Sequence, residues 1–364
     1  MEENLQKTCL HDRHVKLGAL MSPFGGFDMP IQYKGITDEH NAVRKAVGVF
    51  DVSHMGEVRV KGPDAYKFVS HIFVNDVTGA PDGQIFYGMM CYENGGTVDD
   101  LLVYKVHDDE YFLVINAANI DKDVKWIMDN AHGFEVVIEN ESPKYGEVAV
   151  QGPLAEETLC KILGLDLTEI AFYNFKTYQL EGEEVIISRT GYTGEDGFEV
   201  YASHEFTARL WDKLMDAGVQ PCGLGCRDTL RFEVGLPLYG DELTADISPI
   251  EASLSMFVKL DKPEFIGKEA LAKQKAEGVK RRIVGIELDG TAVPRHGYPV
   301  EVNGEQVGEV TTGYKSISTG KSVAMAMVNK PYDKLGTEVE IRIRKKTFPG
   351  KVVKKRFYDK NYKK

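Results

Sequence analysis

The sequence has few cysteines, and none is spaced for a metal or a redox pair. Cys9, Cys91, Cys160, Cys222 and Cys226 contain no C-x-x-C, and no His or further Cys lies near Cys222 and Cys226 to complete a ligand set. The number is odd, so reduced thiols in a reducing compartment are expected and no metal is. No apolar run approaches the ~18–20 residues of a membrane span. The start, Met1-Glu2-Glu3-Asn4, is acidic and looks like neither a signal peptide nor an Arg-rich transit peptide, so the cytoplasm is the expected location. G-x-S-x-G, G-x-x-x-x-G-K-[ST] and H-E-x-x-H are all missing. Gly223-Leu-Gly225 is a glycine pair ahead of a helix and not a dinucleotide fingerprint, which weakens oxidoreductase and phosphoryl-transfer readings.

The 364 residues that are present have an ordinary globular balance, 43% hydrophobic and 27% charged, and this length suits two or three domains. Net charge is −12, unevenly spread: Arg342 to Lys364 holds eleven Lys or Arg against one acid, Asp359. A basic tail on an acidic body is either an attractor for nucleic acid, an acidic protein or an anionic ligand, or a solvated basic strand pair.

Two stretches repeat one design. Glu57-Val-Arg-Val-Lys-Gly-Pro-Asp-Ala65 and Glu147-Val-Ala-Val-Gln-Gly-Pro-Leu-Ala155 each alternate as a half-buried strand, break at Gly-Pro, and continue with apolar residues at helical spacing. Downstream, Tyr111 to Asn116 and Phe198 to Tyr201 read as strands, each followed by a helix carrying one of the two tryptophans, Trp126 or Trp211. Hairpins at Glu93-Asn-Gly-Gly96 and Glu181-Gly-Glu-Glu184 lie between these ends. The pattern predicts an α+β fold with two ferredoxin-like antiparallel modules. The last ~85 residues change character. Short strands at Arg282–Leu288, Gln306–Thr311, Ser322–Val328, Glu338–Arg344 and Lys351–Lys355 predict a C-terminal all-β domain, a sandwich or a small barrel-like fold, linked by a helix over Gly267 to Gly278.

Several residues are candidates for chemistry. Asp99-Asp100 interrupts an apolar strand, and alternation sends the two carboxylates to opposite faces. A buried carboxylate is costly unless bonded, so the pair is functional, tightly bonded, or a turn cap after Gly-Gly. Arg189 to Val200 is a glycine-rich loop into a strand, a plain hairpin or a seat for a flat ligand, with Glu199 opposite the apolar Phe198. Arg227 opens a helix and either forks onto a ligand or pairs with Asp228 or Glu233. His54 is a core or turn residue more readily than a catalyst, and Met55 is adaptable enough to line an aromatic ligand.

Together these segments resemble the aminomethyltransferase (T-protein) family of the glycine cleavage system along nearly the whole chain. The residues that carry the resemblance are Phe24-Gly-Gly-Phe-Asp-Met-Pro30, Val43 to Gly56, Asn94-Gly-Gly-Thr-Val-Asp-Asp-Leu101, Arg189 to Glu199, Gly223-Leu-Gly-Cys-Arg-Asp228, Leu238-Tyr-Gly240 and Phe265 to Leu271. Ser253 to Lys259 departs from the family's Gly-Leu-Gly-Trp-type sequence. The resemblance implies a three-domain cloverleaf, with residues 1–52 and 143–240 forming one folate-binding module, 53–142 and 241–278 the second, and 279–364 the barrel. It implies tetrahydrofolate as one-carbon acceptor and lipoylated H-protein as partner. A monomer is expected, and so is no role for membrane, for want of a long apolar run, or for nucleic acid, for want of an aromatic-interleaved basic face or known motif. By motif, Asp100 resembles the family's key acid. Met55, Tyr87, Ile115, Asn116 and Tyr192 look like the folate pocket, Glu199 and Arg227 like cofactor-binding residues, and Tyr362 like a C-terminal substrate-binding tyrosine. The rival readings are a folate-binding accessory protein of iron–sulfur cluster assembly and a folate-linked sarcosine or dimethylglycine demethylase module. The signature K-G-C-[YF]-x-G-Q-E of the first is absent, and so is the flavin domain that usually precedes the second.

Overall fold

The computed structural model describes residues 5–363; the acidic start Met1-Glu2-Glu3-Asn4 and the last residue, Lys364, lie outside the described residues. Both copies of the repeated design fold as strand, Gly-Pro turn and helix. Gly56–Lys61 leads into the helix Ala65–Ile72, and Gly146–Gln151 into Ala155–Leu163. The second hairpin turns on Glu181 and Gly182, both at positive φ (53° and 83°), which suits a tight two-residue connection. The helices Ile120–Asp129 and His204–Asp216 close the two copies. Trp211 is fully buried in the core of one copy, and Trp126 packs at the edge of the other. Truncating a buried aromatic of this size costs about 3–5 kcal/mol.

The two sheets share one strand order. In the first it runs Phe175–Leu180, Glu183–Ser188, Gly197–Ala202, Gly146–Gln151, Gly48–Asp51, with Gln220–Cys222 added at the edge. In the second it runs Ile85–Cys91, Thr97–His107, Glu110–Ile115, Gly56–Lys61, Val137–Asn140. The fifth strands are exchanged. Gly48–Asp51 precedes Gly56–Lys61 in the chain yet pairs with Gly146–Gln151, while Val137–Asn140 precedes Gly146–Gln151 yet pairs with Gly56–Lys61. Matching bonds clamp the crossovers: Val52 donates its N–H to Glu147 O at 3.0 Å, and Glu141 donates to Glu57 O at 2.8 Å. One pairing in these sheets is parallel, that of Gln220–Cys222 with Gly48–Asp51.

The C-terminal part is a closed barrel of six strands, in the order Arg281–Leu288, Ser322–Asn329, Glu305–Lys315, Pro299–Val302, Glu338–Ile343, Lys346–Val353. The sequence pattern misses Pro299–Val302, a four-residue strand opening on proline, and starts the last strand five residues late. Closure pairs every strand on both sides and leaves no edge to aggregate. Helix Lys268–Glu277 leads into the barrel as expected. Among the described residues no helix is long and apolar enough to cross a membrane.

Candidate active site

A cavity of about 950 Å³ lies where the two sheets meet the barrel and the C-terminal tail, and residues from all of these line it. Strand alternation decides which side chains reach it. On Thr97–His107, Asp100, Leu101 and Leu102 border the cavity, while Asp99 turns away from it and is fully buried. On Glu110–Ile115, Val114 faces in and Ile115 turns away into the core with Val58 and Leu113. Ile115 therefore does not line the cavity. Asn116, one residue past the strand end, does.

Asp100 is held from two sides. The Tyr87 hydroxyl donates to Oδ2 at 2.9 Å, and the Asn116 amide donates to Oδ1 at 3.0 Å. Burial, and next the negative charge of Asp99, push its carboxyl up to about 7. Tyr87 is fixed in turn by Phe257, whose ring meets it edge to face at 4.9 Å. Phe257 belongs to the segment that departs from the family pattern, so that segment forms part of the cavity wall.

Glu199 enters from the other sheet. Phe198 packs into the core beneath it, which sends the Glu199 carboxylate into the cavity. Thr190 donates to Oε2, and among the described residues no side chain donates to Oε1. Burial raises the Glu199 carboxyl above its usual range, opposed by the Thr190 hydrogen bond and the charge of Arg227. Arg227 does not take up either surface partner. It stacks on the Tyr192 ring at 4.5 Å, while Asp228 binds Arg231 at 2.7 Å and Glu233 binds Arg44 at 3.0 Å. The helix that carries Arg227 sits hard against the Phe27–Gln32 strand, where a Cβ on Gly223 would come within 2.2 Å of Ile31 O. The glycine-rich loop is shut by Arg189, which forks onto Asp196 at 3.0 and 2.7 Å. Tyr192 donates its hydroxyl to Pro237 O.

Met55 and Tyr362 also line the cavity. Tyr362 stacks on Phe172, with centroids 4.3 Å apart and planes at 23°. The tail that carries it is strapped to the first sheet by Asn361 N–H donating to Gly194 O at 2.8 Å. His54 is fully buried between Phe24 and Phe27, with neither ring nitrogen hydrogen-bonded. Burial, then the charge of Arg227, lower it to about 3, so it is a neutral imidazole.

Sequence reasoning missed Phe172, Tyr173 and Glu147, which line the cavity, and Arg282, Lys354 and Lys355 at its barrel end. Glu147 had a signal, because the two repeats share Gly-Glu at their first strand positions, Gly56-Glu57 and Gly146-Glu147. The basic tail divides. Arg342 and Lys346 sit on a solvated barrel strand pair, whereas Lys354, Lys355, Arg356 and Lys360 border the cavity. Among the described residues no group of three or more His, Cys, Asp or Glu is arranged to hold a metal ion.

A family model described as the GCVT N-terminal domain matches residues 10–262, and one described as the glycine cleavage T-protein C-terminal barrel domain matches residues 281–359. The chain is 50% identical over 367 residues to an aminomethyltransferase of Caldanaerobacter subterraneus, covering 100% of this chain and 98% of that one. It is 49% identical over 363 residues to an aminomethyltransferase of Lysinibacillus sphaericus, covering 98% and 99%. The crystal structure of glycine cleavage system aminomethyltransferase T from Bartonella henselae is similar at a TM-score of 0.94 and 33% identity, covering 99% of this chain and 100% of that one.

Proposed function

The chain belongs to the glycine cleavage T-protein family of aminomethyltransferases, and from that premise we propose that the central cavity is where the one-carbon unit changes carrier. The enzyme is a tetrahydrofolate-dependent aminomethyltransferase that works with the H-protein of the glycine cleavage system. In the finer reading, H-protein presents the aminomethyl group on a lipoyl sulfur. The products are 5,10-methylenetetrahydrofolate, ammonia and dihydrolipoyl H-protein, and the enzyme acts as a cytoplasmic monomer. All five cysteines are free thiols, which supports a reducing setting.

The residues fit a reduced folate. A cavity of about 950 Å³ is in the range that buries a ligand of this size. A pterin offers adjacent N–H donors, and Glu199 has one oxygen without a protein donor. Tyr87, Tyr192 and Met55 supply flat or adaptable walls. Bound folate supplies the nucleophilic nitrogens that accept the carbon. Glu199 and Arg227 orient the pterin, Asn116 and Tyr87 hold the acid, and Tyr362 on Phe172 covers the site against water. Asp100 carries negative charge where the transferred carbon becomes positive. The observation that carries this reading is that Asp100 and Glu199 reach one aromatic-walled space from two different sheets. The exchange of fifth strands supports dividing the chain into a module of 1–52 with 143–240, a second of 53–142 with 241–278, and a barrel of 279–364.

The test is tetrahydrofolate binding by calorimetry, followed by ammonia release from aminomethylated H-protein with and without its lipoyl group. Saturable binding and lipoyl-dependent ammonia release are expected. Folate binding with no ammonia release would make the protein an accessory binder.

A further inference from the structure

Behind Asp100, on the other face of its strand, two more carboxyls are sealed from water. Asp99, on the Thr97–His107 strand, and Asp123, in the Ile120–Asp129 helix, both have zero exposure. Asp99 is fully served by donors. Its Oδ1 accepts from the side-chain amides of Asn116 at 2.9 Å and Asn119 at 2.8 Å, and its Oδ2 accepts from the Asn116 backbone N–H at 3.0 Å. Asp123 has one donor, Lys122 Nζ at 2.7 Å from Oδ1, and its Oδ2 meets no N–H or O–H at all. Asn119, at the start of this helix, and Asp123, four residues on, face the same strand: Asn119 bonds Asp99, and Lys122 Nζ bonds both Asp123 Oδ1 and the carbonyl of Val98, the residue before Asp99.

Two ionised carboxylates side by side in a dry site repel strongly, and one proton between them relieves this. Three N–H donors favour a charged oxygen pair at Asp99, whereas Asp123, whose Oδ2 meets no donor, is the member placed to hold a proton toward Asp99. Burial and then the nearby Asp99 push the Asp123 carboxyl far above its usual range.

The arrangement reaches the cavity through Asn116. The same amide nitrogen, Nδ2, donates to Asp99 Oδ1 at 2.9 Å and to Asp100 Oδ1 at 3.0 Å. Asp99 thus sets the rotamer of Asn116, and Asn116 with Tyr87 sets the carboxyl plane of Asp100. We propose that Asp99 and Asp123 share one proton, and that this pair is a positioning device that aims Asp100 and keeps a single negative charge behind it. The aiming role rests on the reading of Asp100 as the reactive acid. The ionisable groups around the cluster are Asp99 and Asp100 on their strand, Tyr87 on the neighbouring strand, Lys122 and Asp123 on the helix, and Tyr173, Tyr192 and Tyr239 from the segments opposite.

The test uses the full-length enzyme as wild type, Asp123→Asn, Asp99→Asn and Asp100→Asn. It measures kcat and KM for tetrahydrofolate across pH, together with infrared difference spectra of the carboxyl C=O stretch. Asp123→Asn exchanges a neutral acid for a neutral amide that still donates, so the acid limb of kcat stays within about 0.3 pH unit of wild type. Asp99→Asn removes the charge nearest Asp100, which then ionises more readily. Its acid limb moves down by about one pH unit, and plateau kcat falls roughly tenfold with KM little changed. A loss of packing alone lowers stability and leaves the limb in place. At about pH 8, the wild-type minus Asp123→Asn spectrum shows a protonated-acid band. A limb displaced in Asp123→Asn as far as in Asp99→Asn, or no such band, overturns the shared proton. Normal turnover by Asp100→Asn instead removes the reading of Asp100 and with it the aiming role, while the band by itself still decides where the proton is.

Discussion

Glu57 and Glu147 hold the same position in the two repeated units, and each buries its Oε2 with no donor to meet it. Burial pushes both carboxyls well above the usual range, with Glu141 adding to the effect at Glu57 and Glu199 and Glu57 adding to it at Glu147. An acid whose folded pKa is raised contributes stability that is present below its unfolded pKa and lost as pH rises through its folded pKa. Glu57→Gln removes that pH-dependent cost. Thermal melts at mildly alkaline pH are expected to show the variant more stable than wild type by on the order of 1 kcal/mol, with the gap closing toward acid pH. A variant less stable at every pH would show that Glu57 is ionised and paired.

Asp100→Asn keeps the size and shape of the side chain and removes the charge, with the Tyr87 hydroxyl turning from donor to acceptor at the new NH2. Turnover is expected to fall by on the order of 10²–10³, with the melting temperature and folate affinity nearly retained. The wild-type acid lies at about 7, so its charged form grows as pH rises through neutrality. Wild-type kcat is therefore expected to climb across that range to a plateau, and the residual rate of the variant to lack that step. Single-turnover assays over the same range check both statements.

Glu199 meets folate, in the proposed reading, through its free oxygen. Glu199→Ala is expected to weaken tetrahydrofolate binding by about 10- to 100-fold, matching the loss of a charge-assisted hydrogen bond of ~1.5–3 kcal/mol. Calorimetric titration measures it. Unchanged affinity alongside an intact melt would place the pterin elsewhere.

Lys354 and Arg356 are exposed at the rim of the cavity, on an otherwise acidic chain. The apparent KM for H-protein is expected to rise with salt, and Lys354→Glu with Arg356→Glu to raise it by about tenfold at low salt with little change in kcat. A KM indifferent to both salt and substitution would rule out electrostatic steering from this rim.

Local pattern carried the site where alternation was respected. Asp100 and Glu199 interrupt apolar strands, and on the second of them the buried Phe198 fixes the opposite parity. Ile115 has the opposite parity to Val114: it packs into the core, and Val114 lines the cavity. The Glu181-Gly182 and Asn94-Gly95 turns were legible because positive φ at Gly182 and Gly95 demands particular residues. Asp123 was hidden, since its relation to Asp99 joins a helix to a strand across the fold and leaves no periodic trace. The partners of the exchanged strands were hidden for a similar reason, because Gly48–Asp51 reaches a strand that begins at Gly146.

That exchange makes the duplicated units mutually dependent. Pulling either one away strips the other of its fifth strand and leaves a row of unpaired N–H and C=O groups facing water. The two sheets should therefore melt in one calorimetric transition, and a cut at the junction between the repeats should yield halves that recover order only when mixed. Because the cavity is walled by both sheets, its shape exists only in the assembled molecule, and partial unfolding of one half abolishes ligand capture by the whole.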